Sequence, residues 1–366
     1  MIPEGWRHDQ VDEFFVLQRG YDLTKAQAKP GTVPVVPSSG VGYFHDEAKV
    51  QAPGVVTGRK GSVGPVYYLE EAFWPHDTSL WVKDFRGNNP KYVWYFLQAM
   101  QLERFDEASS VPTLNRNNVH RRRVLFPPQA EQPQIIEVIE TWDRAIETAE
   151  ALIANARAQK QALMQQLLPQ GTTPPKKRLH GFSGEWREAK LGSLADISKG
   201  EQKGRASLAG EGPVPVINGG ITPSGYTDHP NTSADTITIS EGGNSCGYVD
   251  LITQPFWCGG HCYALKNLKV ERDYLFAVLK HRERQIMSLR VGSGLPNIQK
   301  KALSQFSIPI PPRAEQVKIG ELAAHADKGI AAQEAQLTAL RQEKAALMQQ
   351  LLTGKRRVRI PESEVA

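Results

Sequence analysis

A chain of 366 residues, 40% of them hydrophobic, is long enough to bury the cores of two or three domains. Its formal net charge of +5 and pI near 9.0 make a modest basic bias, compatible with a polyanionic partner. Three cysteines indicate no disulfide framework, the opening MIPEGWRHDQ lacks a basic-then-apolar leader, and no apolar run approaches the length of a membrane span. A soluble cytoplasmic protein with no membrane partner is expected.

In chain order, VPVV (33–36) reads as a short apolar strand entering a turn at SSG. GVVTGRKGSVGPVYYLEEAFW (54–74) reads as strand, Gly-rich turn, strand. NNPKYVWYFLQAM (88–100) opens a helix with Asn89 as N-cap and Pro90 at the first helical position. After Pro127-Pro128, residues 129–168 contain no Gly and only Pro133, near the start, where a helix tolerates it. VPVI (214–217), TITISEGGNSCGYVDLITQPFW (236–257) and YLFAVLKHRERQIMSL (274–289) then repeat the strand, hairpin and helix. A second Gly-poor helical stretch closes the chain. Pro169 and Gly171 stop the first long helix, and Gly354 the second.

The resemblance between the halves extends to identity. ALMQQLL occurs at 162–168 and again at 346–352, 184 residues apart, and FPPQAEQ (126–132) falls on IPPRAEQ (310–316) at the same offset. Upstream the offset drifts as loops change length: Pro112 meets Pro296 at 184, Gly64-to-Trp74 meets Gly247-to-Trp257 at 183, and Trp6-Arg7 meets Trp186-Arg187 at 180. Two copies are too few for a solenoid, so a pseudo-dimer on one chain, related by an approximate two-fold, is expected.

Both long helices carry an a/d seam. Ile135, Trp142, Ala149, Ala156 and Leu163 alternate with Ile139, Ile146, Ile153, Lys160 and Leu167. In the second helix Ile319, Ala326, Gln333, Leu340 and Leu347 alternate with Ala323, Ile330, Leu337, Lys344 and Leu351. About 40 residues make a rod of roughly 60 Å. Packing of these helices on each other is the expected use of the seam, with Lys160 and Lys344 fixing register or marking where another chain docks. A parallel pair would set both variable regions at one end. The antiparallel pair that a two-fold relation gives is the expected one.

This arrangement closely resembles the specificity subunit of type I restriction–modification enzymes. The marks are two variable regions alternating with near-identical helices entered through Pro-Pro and AEQ, together with LQRGYDLTK (17–25), GRKGSVG (58–64), FWPHDTSLWV (73–82) and GLPNIQKKAL (294–303). The resemblance implies an α+β fold with two target-recognition domains, 1–127 and 175–310, separated by helical spacers, 128–174 and 311–366 with the C-terminal tail. It implies that the spacers form an antiparallel coiled coil and that each domain reads one half of an interrupted target in double-stranded DNA. It further implies that the helices set the gap and dock methyltransferase subunits, while a separate restriction subunit translocates and cleaves. S-adenosylmethionine belongs to the methyltransferase, and the chain itself is expected to bind no cofactor and to be no enzyme.

Specific binding to DNA needs cations for phosphates and amide or guanidinium forks for base edges. In the first domain Arg59, Lys60 and Ser62 sit in the Gly-rich turn. In the second domain the same turn reads EGGNS and leaves Asn244 and Ser245 as candidates. Asn115-Arg116-Asn117 and Gln299-Lys300-Lys301 correspond at 184, just before each helix, and suggest phosphate contacts. Arg121 belongs to a basic run at 120–123, and Lys199, Lys203 and Arg205 to a basic loop. Each of these equally suits a solvated turn. The KKR at 176–178 and KRR at 355–357 follow the helix ends and are expected to complement the helix C-termini or stay solvated.

Cys246, Cys258, His261 and Cys262 superficially suggest zinc. Their repeat partners Val63, Pro75, Thr78 and Ser79 are poor ligands or none, so no metal is expected. An enzyme reading finds no phosphate loop, and NPKY (89–92) lacks the second proline of a methyltransferase N-P-P-[FY] motif. A coiled-coil scaffold whose globular parts bind proteins is the remaining alternative. It would show no sequence preference among random duplexes.

Overall fold

A computed structural model describes residues 2–106, 110–169, 175–292 and 294–358. It divides into two units, Met1–Ala149 with Gln336–Ala366, and Glu150–Ala335. Gly171 lies outside the described residues.

The first unit holds β1 (Arg7–Gln10), β2 (Val16–Arg19), β3 (Val33–Val36), β4 (Tyr43–His45), β5 (Gly54–Gly58), β6 (Val66–Leu69), β7 (Trp74–Pro75) and β8 (Ser79–Asp84). Helices α1 (Pro90–Ala99) and α2 (Arg116–His120) and strand β9 (Arg123–Phe126) lead to the long helix α3 (Gln132–Leu167). β1 pairs antiparallel with β9, a second sheet runs β2-β8-β5-β6, and a third runs β4-β3-β7 with β3 and β7 parallel. Val55, Val56 and Thr57 of β5 are all fully buried, so this strand reads as a continuous run rather than an alternation. Asn89 caps α1 as expected, its side chain accepting from the Lys91 N–H at 2.9 Å. The buried face of α1 packs an aromatic cluster in which Phe126 lies 4.9 Å from Phe96 and 5.0 Å from Tyr92.

The second unit repeats that topology. β10 (Arg187–Lys190), α4 (Leu191–Leu194), β11 (Asp196–Lys199), β12 (Val214–Ile217), β13 (Tyr226–Thr227), β14 (Thr236–Ser240), β15 (Val249–Ile252), β16 (Trp257–Cys258) and β17 (Cys262–Lys266) come first. α5 (Arg272–His281), α6 (Glu283–Met287), α7 (Lys300–Ser304), β18 (Ser307–Ile310) and the long helix α8 (Arg313–Leu352), whose residues from 336 belong to the first unit, follow. The sheets are β10-β18, β11-β17-β14-β15 and β13-β12-β16, strand for strand the order of the first unit. The single helix expected over 274–289 is instead broken at Arg282, which is 6% exposed. Its guanidinium donates to the carbonyls of Ser307 at 3.2 Å and Pro169 at 2.9 Å, and the chain bends to seat it.

The repeated AEQ has a structural reason. Gln132 Oε1 accepts from the Asn89 N–H at 2.7 Å, and Gln316 Oε1 accepts from the Glu271 N–H at 3.1 Å, so each glutamine holds the entry to α1 or α5. Glu131 and Glu315 are 0% and 1% exposed. Burying a carboxylate demands a paired donor, and each finds an arginine beyond a helix end. Arg178 grips Glu315 with two bonds, Nε–Oε1 at 2.9 Å and Nη2–Oε2 at 2.7 Å. Arg357 pairs with Glu131, which also accepts from Trp6 Nε1 at 2.9 Å.

This refines the expectation for KKR and KRR. Lys176, Lys177, Lys355 and Arg356 are exposed, while the last arginines, Arg178 and Arg357, keep part of their side chains in solvent and also pair with the buried carboxylates. The backbone caps the helix: the Lys177 N–H donates to Gln166 O at 3.0 Å and the Arg356 N–H to Gln350 O at 3.1 Å, equivalent carbonyls in the repeat.

Every seam position from Ile135 to Leu167 and from Ile319 to Leu351 is buried or half-buried. Ile135, Ile139 and Leu351 join the core of the first unit, while Leu167, Ile319 and Ala323 join that of the second. Trp6→Phe keeps a ring at its site but strips a donor from buried Glu131. Hydrogen bonds to charged groups contribute about 1.5–3 kcal/mol, so a loss of that size is expected in urea unfolding.

Candidate nucleic-acid interface

In the first unit the turn after β5 is closed by backbone bonds from two distant segments. The N–H groups of Arg59 and Lys60 donate to Thr78 O at 2.8 and 3.0 Å. The Gly61 N–H donates to Pro112 O at 2.9 Å, and the Leu114 N–H to Arg59 O at 2.7 Å. A Cβ on Gly58 would stand 1.6 Å from Ser62 O, so only glycine allows the turn to fold back this tightly. Buried Leu114 anchors the crossing strand, which runs straight into Asn115.

The structure therefore brings Arg59, Lys60 and Ser62 beside Asn115, Arg116 and Asn117, 55 residues along the chain, as the Lys60↔Thr113 bridge records. The last three do not form a mere polar turn. Asn115 is the N-cap of α2, its side chain accepting from the Asn117 N–H at 3.0 Å. Lys60, Ser62, Arg116, Asn117 and, at the far end of α2, Arg121 are exposed. Arg59 is partly committed, its Nε donating to Asp77 O at 2.9 Å.

The second unit builds the same frame from different side chains. The Glu241 N–H donates to His261 O at 2.9 Å, the Gly243 N–H to Pro296 O at 3.0 Å, and the Ile298 N–H to Glu241 O at 2.8 Å. Asn244 is exposed at the tip, while Ser245 Oγ donates inward to Gly219 O at 2.5 Å. Gln299, Lys300 and Lys301 are exposed where α7 begins.

Glu241 takes the place of Arg59, and its Oε1 lies 2.6 Å from Lys199 Nζ and 3.1 Å from the Tyr263 hydroxyl. Burial and Glu241 together push that hydroxyl up to about 12. Lys203 is set apart from the tip: its Nζ donates to Thr227 Oγ1 at 2.6 Å and sits 3.9 Å above the Trp257 ring. The side chain of Arg205 lies outside the described residues.

The sequence reading missed a third contributor, the hairpin between β3 and β4 and its counterpart between β12 and β13. The Ser38 N–H donates to Thr78 Oγ1 at 3.3 Å, and Asn218 Oδ1 accepts from the His261 N–H at 3.0 Å, which seats each hairpin against its tip. The signal was present in SSG and NGG following VPVV and VPVI. Among the described residues no three His, Cys, Asp or Glu side chains are grouped to hold a metal. Cys246, Cys258 and Cys262 are buried, and the Cys246 thiol donates to Glu241 O at 3.0 Å.

Residues 3–156 and 183–342 match the family described as the type I restriction modification DNA specificity domain. The chain belongs to this family. Two copies of the domain account for most of this specificity subunit. A Mycoplasma pneumoniae protein named as a type I specificity subunit is 37% identical over 139 residues, which is 37% of this chain and 36% of that protein. The chain thus matches just over a third of the length of that relative. A Methanocaldococcus jannaschii protein named as the specificity subunit of type I restriction enzyme MjaX is 25% identical over 292 residues, 74% of this chain and 69% of that one.

The crystal structure of an S subunit from M. genitalium superposes with TM-score 0.65 at 20% identity over 96% of both chains. A chain from a structure of type I complex assembly superposes with TM-score 0.60 at 18% identity, over 97% and 100%. These likenesses establish the fold. No helix among the described residues is long and apolar enough to cross a membrane.

Two outcomes are expected if this face binds duplex DNA. Arg116→Ala lowers affinity and flattens log K against log salt by about 0.9, the value of one phosphate contact. Lys203→Ala changes the melting temperature and leaves that slope alone; salt titrations by fluorescence anisotropy separate the two.

His120 ties α2 to β2 through Nε2, which accepts from the Leu17 N–H at 2.9 Å, a role open only to the neutral ring. Burial accordingly holds its pKa below the usual histidine value. Stability from this group is complete above about pH 6.5, the unfolded value, and is lost as pH falls through the lower folded value. Melts from about pH 8 to about pH 5 should show it, and His120→Gln should flatten the acid limb.

Proposed function

We propose that this chain is the non-catalytic DNA-recognition subunit of a type I restriction–modification complex, and that its two target-recognition domains read the two halves of an interrupted duplex sequence. The observation that carries this reading is the duplicated frame. The same turn, crossing strand and short helix recur in both units, yet the side chains offered differ, Arg59-Lys60-Ser62 in one and Glu241 with Asn244 in the other. One frame with unlike side chains suits two readers of unlike base sequences better than one reader of a single site.

In this proposal the long helices pair antiparallel about a pseudo-two-fold, set the gap between half-sites and dock methyltransferase subunits. Two ion pairs support it: Lys344 with Asp143 in the first unit and Lys160 with Asp327 in the second. Adding 184 converts Asp143 to Asp327 and Lys160 to Lys344, so the two bridges are one interaction repeated with its partners exchanged. Arg157 with Glu334 adds a third crossing of the same sense. The seam lysines thus gain carboxylates that favour a single register, as polar seam residues do in coiled coils.

S-adenosylmethionine would be held by the methyltransferase, which transfers its methyl group to adenine in each half-site. A separate restriction subunit would supply translocation and cleavage, all in the cytoplasm.

The test is to map methylated adenines in a host expressing this chain with its methyltransferase. An interrupted motif is expected. Inserting one heptad into each long helix adds about 10.5 Å and should lengthen the gap by about three base pairs at 3.4 Å each, with both half-sites unchanged. A continuous motif, or a gap indifferent to the insertion, sinks the proposal.

A further inference from the structure

Among the exposed large apolar side chains, Val111 and Leu295 are 44% and 84% exposed, and they stand 184 residues apart, the offset of the repeat. Single exposed aliphatics are ordinary. The same position exposed in both halves, each time on the segment that crosses the reading turn, is not ordinary scatter.

Each side chain immediately precedes a proline, Pro112 or Pro296, which holds the preceding residue in extended backbone. The carbonyl of each proline accepts the turn's glycine N–H, from Gly61 at 2.9 Å and Gly243 at 3.0 Å. Each exposed side chain is therefore one residue from a backbone bond to its turn. Around them stand exposed polar groups, Lys60, Ser62 and Arg116 in the first unit, Asn244, Gln299 and Lys300 in the second.

We infer that Val111 and Leu295 are apolar wedges that press into a base step of each half-site and partly unstack it. The inference rests on the DNA-reading function proposed above. Phosphate oxygens offer nothing to a bare aliphatic side chain, whereas duplex DNA has three apolar partners for it: the deoxyribose C–H edge, the thymine methyl and the faces of the stacked bases. A sugar contact would leave the bases stacked and their fluorescence unchanged. A methyl contact would demand thymine at one equivalent place in both half-sites, a coincidence for two domains with unlike reading turns. A stacked step exists in every sequence, so a wedge suits a feature common to both units. Leucine and proline are among the side chains that proteins insert between base steps. Leu295 is longer and more exposed, and Val291, 47% exposed, is bonded through its backbone to Asn297 beside it, so the second unit should distort its half-site more.

The experiment uses the chain assembled with its partner subunits. A random duplex pool first yields the selected motif, and 2-aminopurine is then walked through each half-site at positions other than the methylated adenine. The intact complex should raise fluorescence at one step per half-site. Leu295→Ala should abolish the rise in one half-site alone and weaken binding roughly tenfold. Val111→Ala should do the same in the other, with a weakening of roughly threefold. An abasic position at the affected step should restore binding by Leu295→Ala, because the unstacking cost is then already removed.

Both residues are exposed, so unchanged melting curves should confirm that the variants fold. Unaltered fluorescence and affinity in both variants would overturn the inference. So would an equal loss when uracil replaces thymine at that step, since that would identify a methyl contact. If the intact complex selects no motif, the proposed function has failed rather than the wedge.

Discussion

The buried carboxylate at the foot of each long helix is the constraint around which the chain is organised. Glu131 and Glu315 have almost no contact with solvent, and an unpaired charge there would be far costlier than any single packing contact. Each is met by an arginine delivered from just past a helix end, Arg357 and Arg178 respectively. The neighbouring glutamines, Gln132 and Gln316, hold the entry of the domain helices α1 and α5. Two consecutive residues, the Glu and Gln of AEQ, thus tie helix, tail and globular domain at one junction, and the chain does it twice.

Much of this could be read from residues in order. The repeat, the helix start at Asn89-Pro90, the seam and the paired strands VPVV and VPVI follow from spacing and local stereochemistry. The sequence could also place the Gly-rich turn, because Gly61 holds left-handed backbone and a Cβ on Gly58 would collide with Ser62 O. What it could not supply were partners distant along the chain. Nothing local joins Arg178 to Glu315 across 137 residues, or seats the hairpin at Ser38 against the turn at Thr78. The break at Arg282 was hidden for the same reason: a helical pattern continues through it, and only the carbonyls of Pro169 and Ser307 make the bend favourable.

The candidate surface shows how one backbone can be given two chemistries. Its frame is main-chain hydrogen bonding to the crossing segment, so Arg59 can give way to Glu241 while the bonds to that segment are kept, even though Ser240 replaces Gly58 and the second turn is one residue longer. The exchange is not free of consequence nearby. Glu241 recruits Lys199 and the Tyr263 hydroxyl, and the second unit's cationic character shifts to Lys300 and Lys301. Candidates equal in a string of letters become unequal in three dimensions. Arg116 is exposed, whereas Lys203 is engaged with Trp257 and Thr227.

The first unit is assembled from both ends of the chain, while the second is one uninterrupted stretch. Met348, Leu351 and Leu352 complete the core that Trp6, Phe126 and Ile135 begin, and Arg357 neutralises Glu131. On the ribosome, the second unit has its whole sequence first, although it lies later in the message. The first unit's core lacks Met348, Leu351 and Leu352 until α8 has been made, so a nonsense codon just before α8 would remove part of the core of the unit translated earlier.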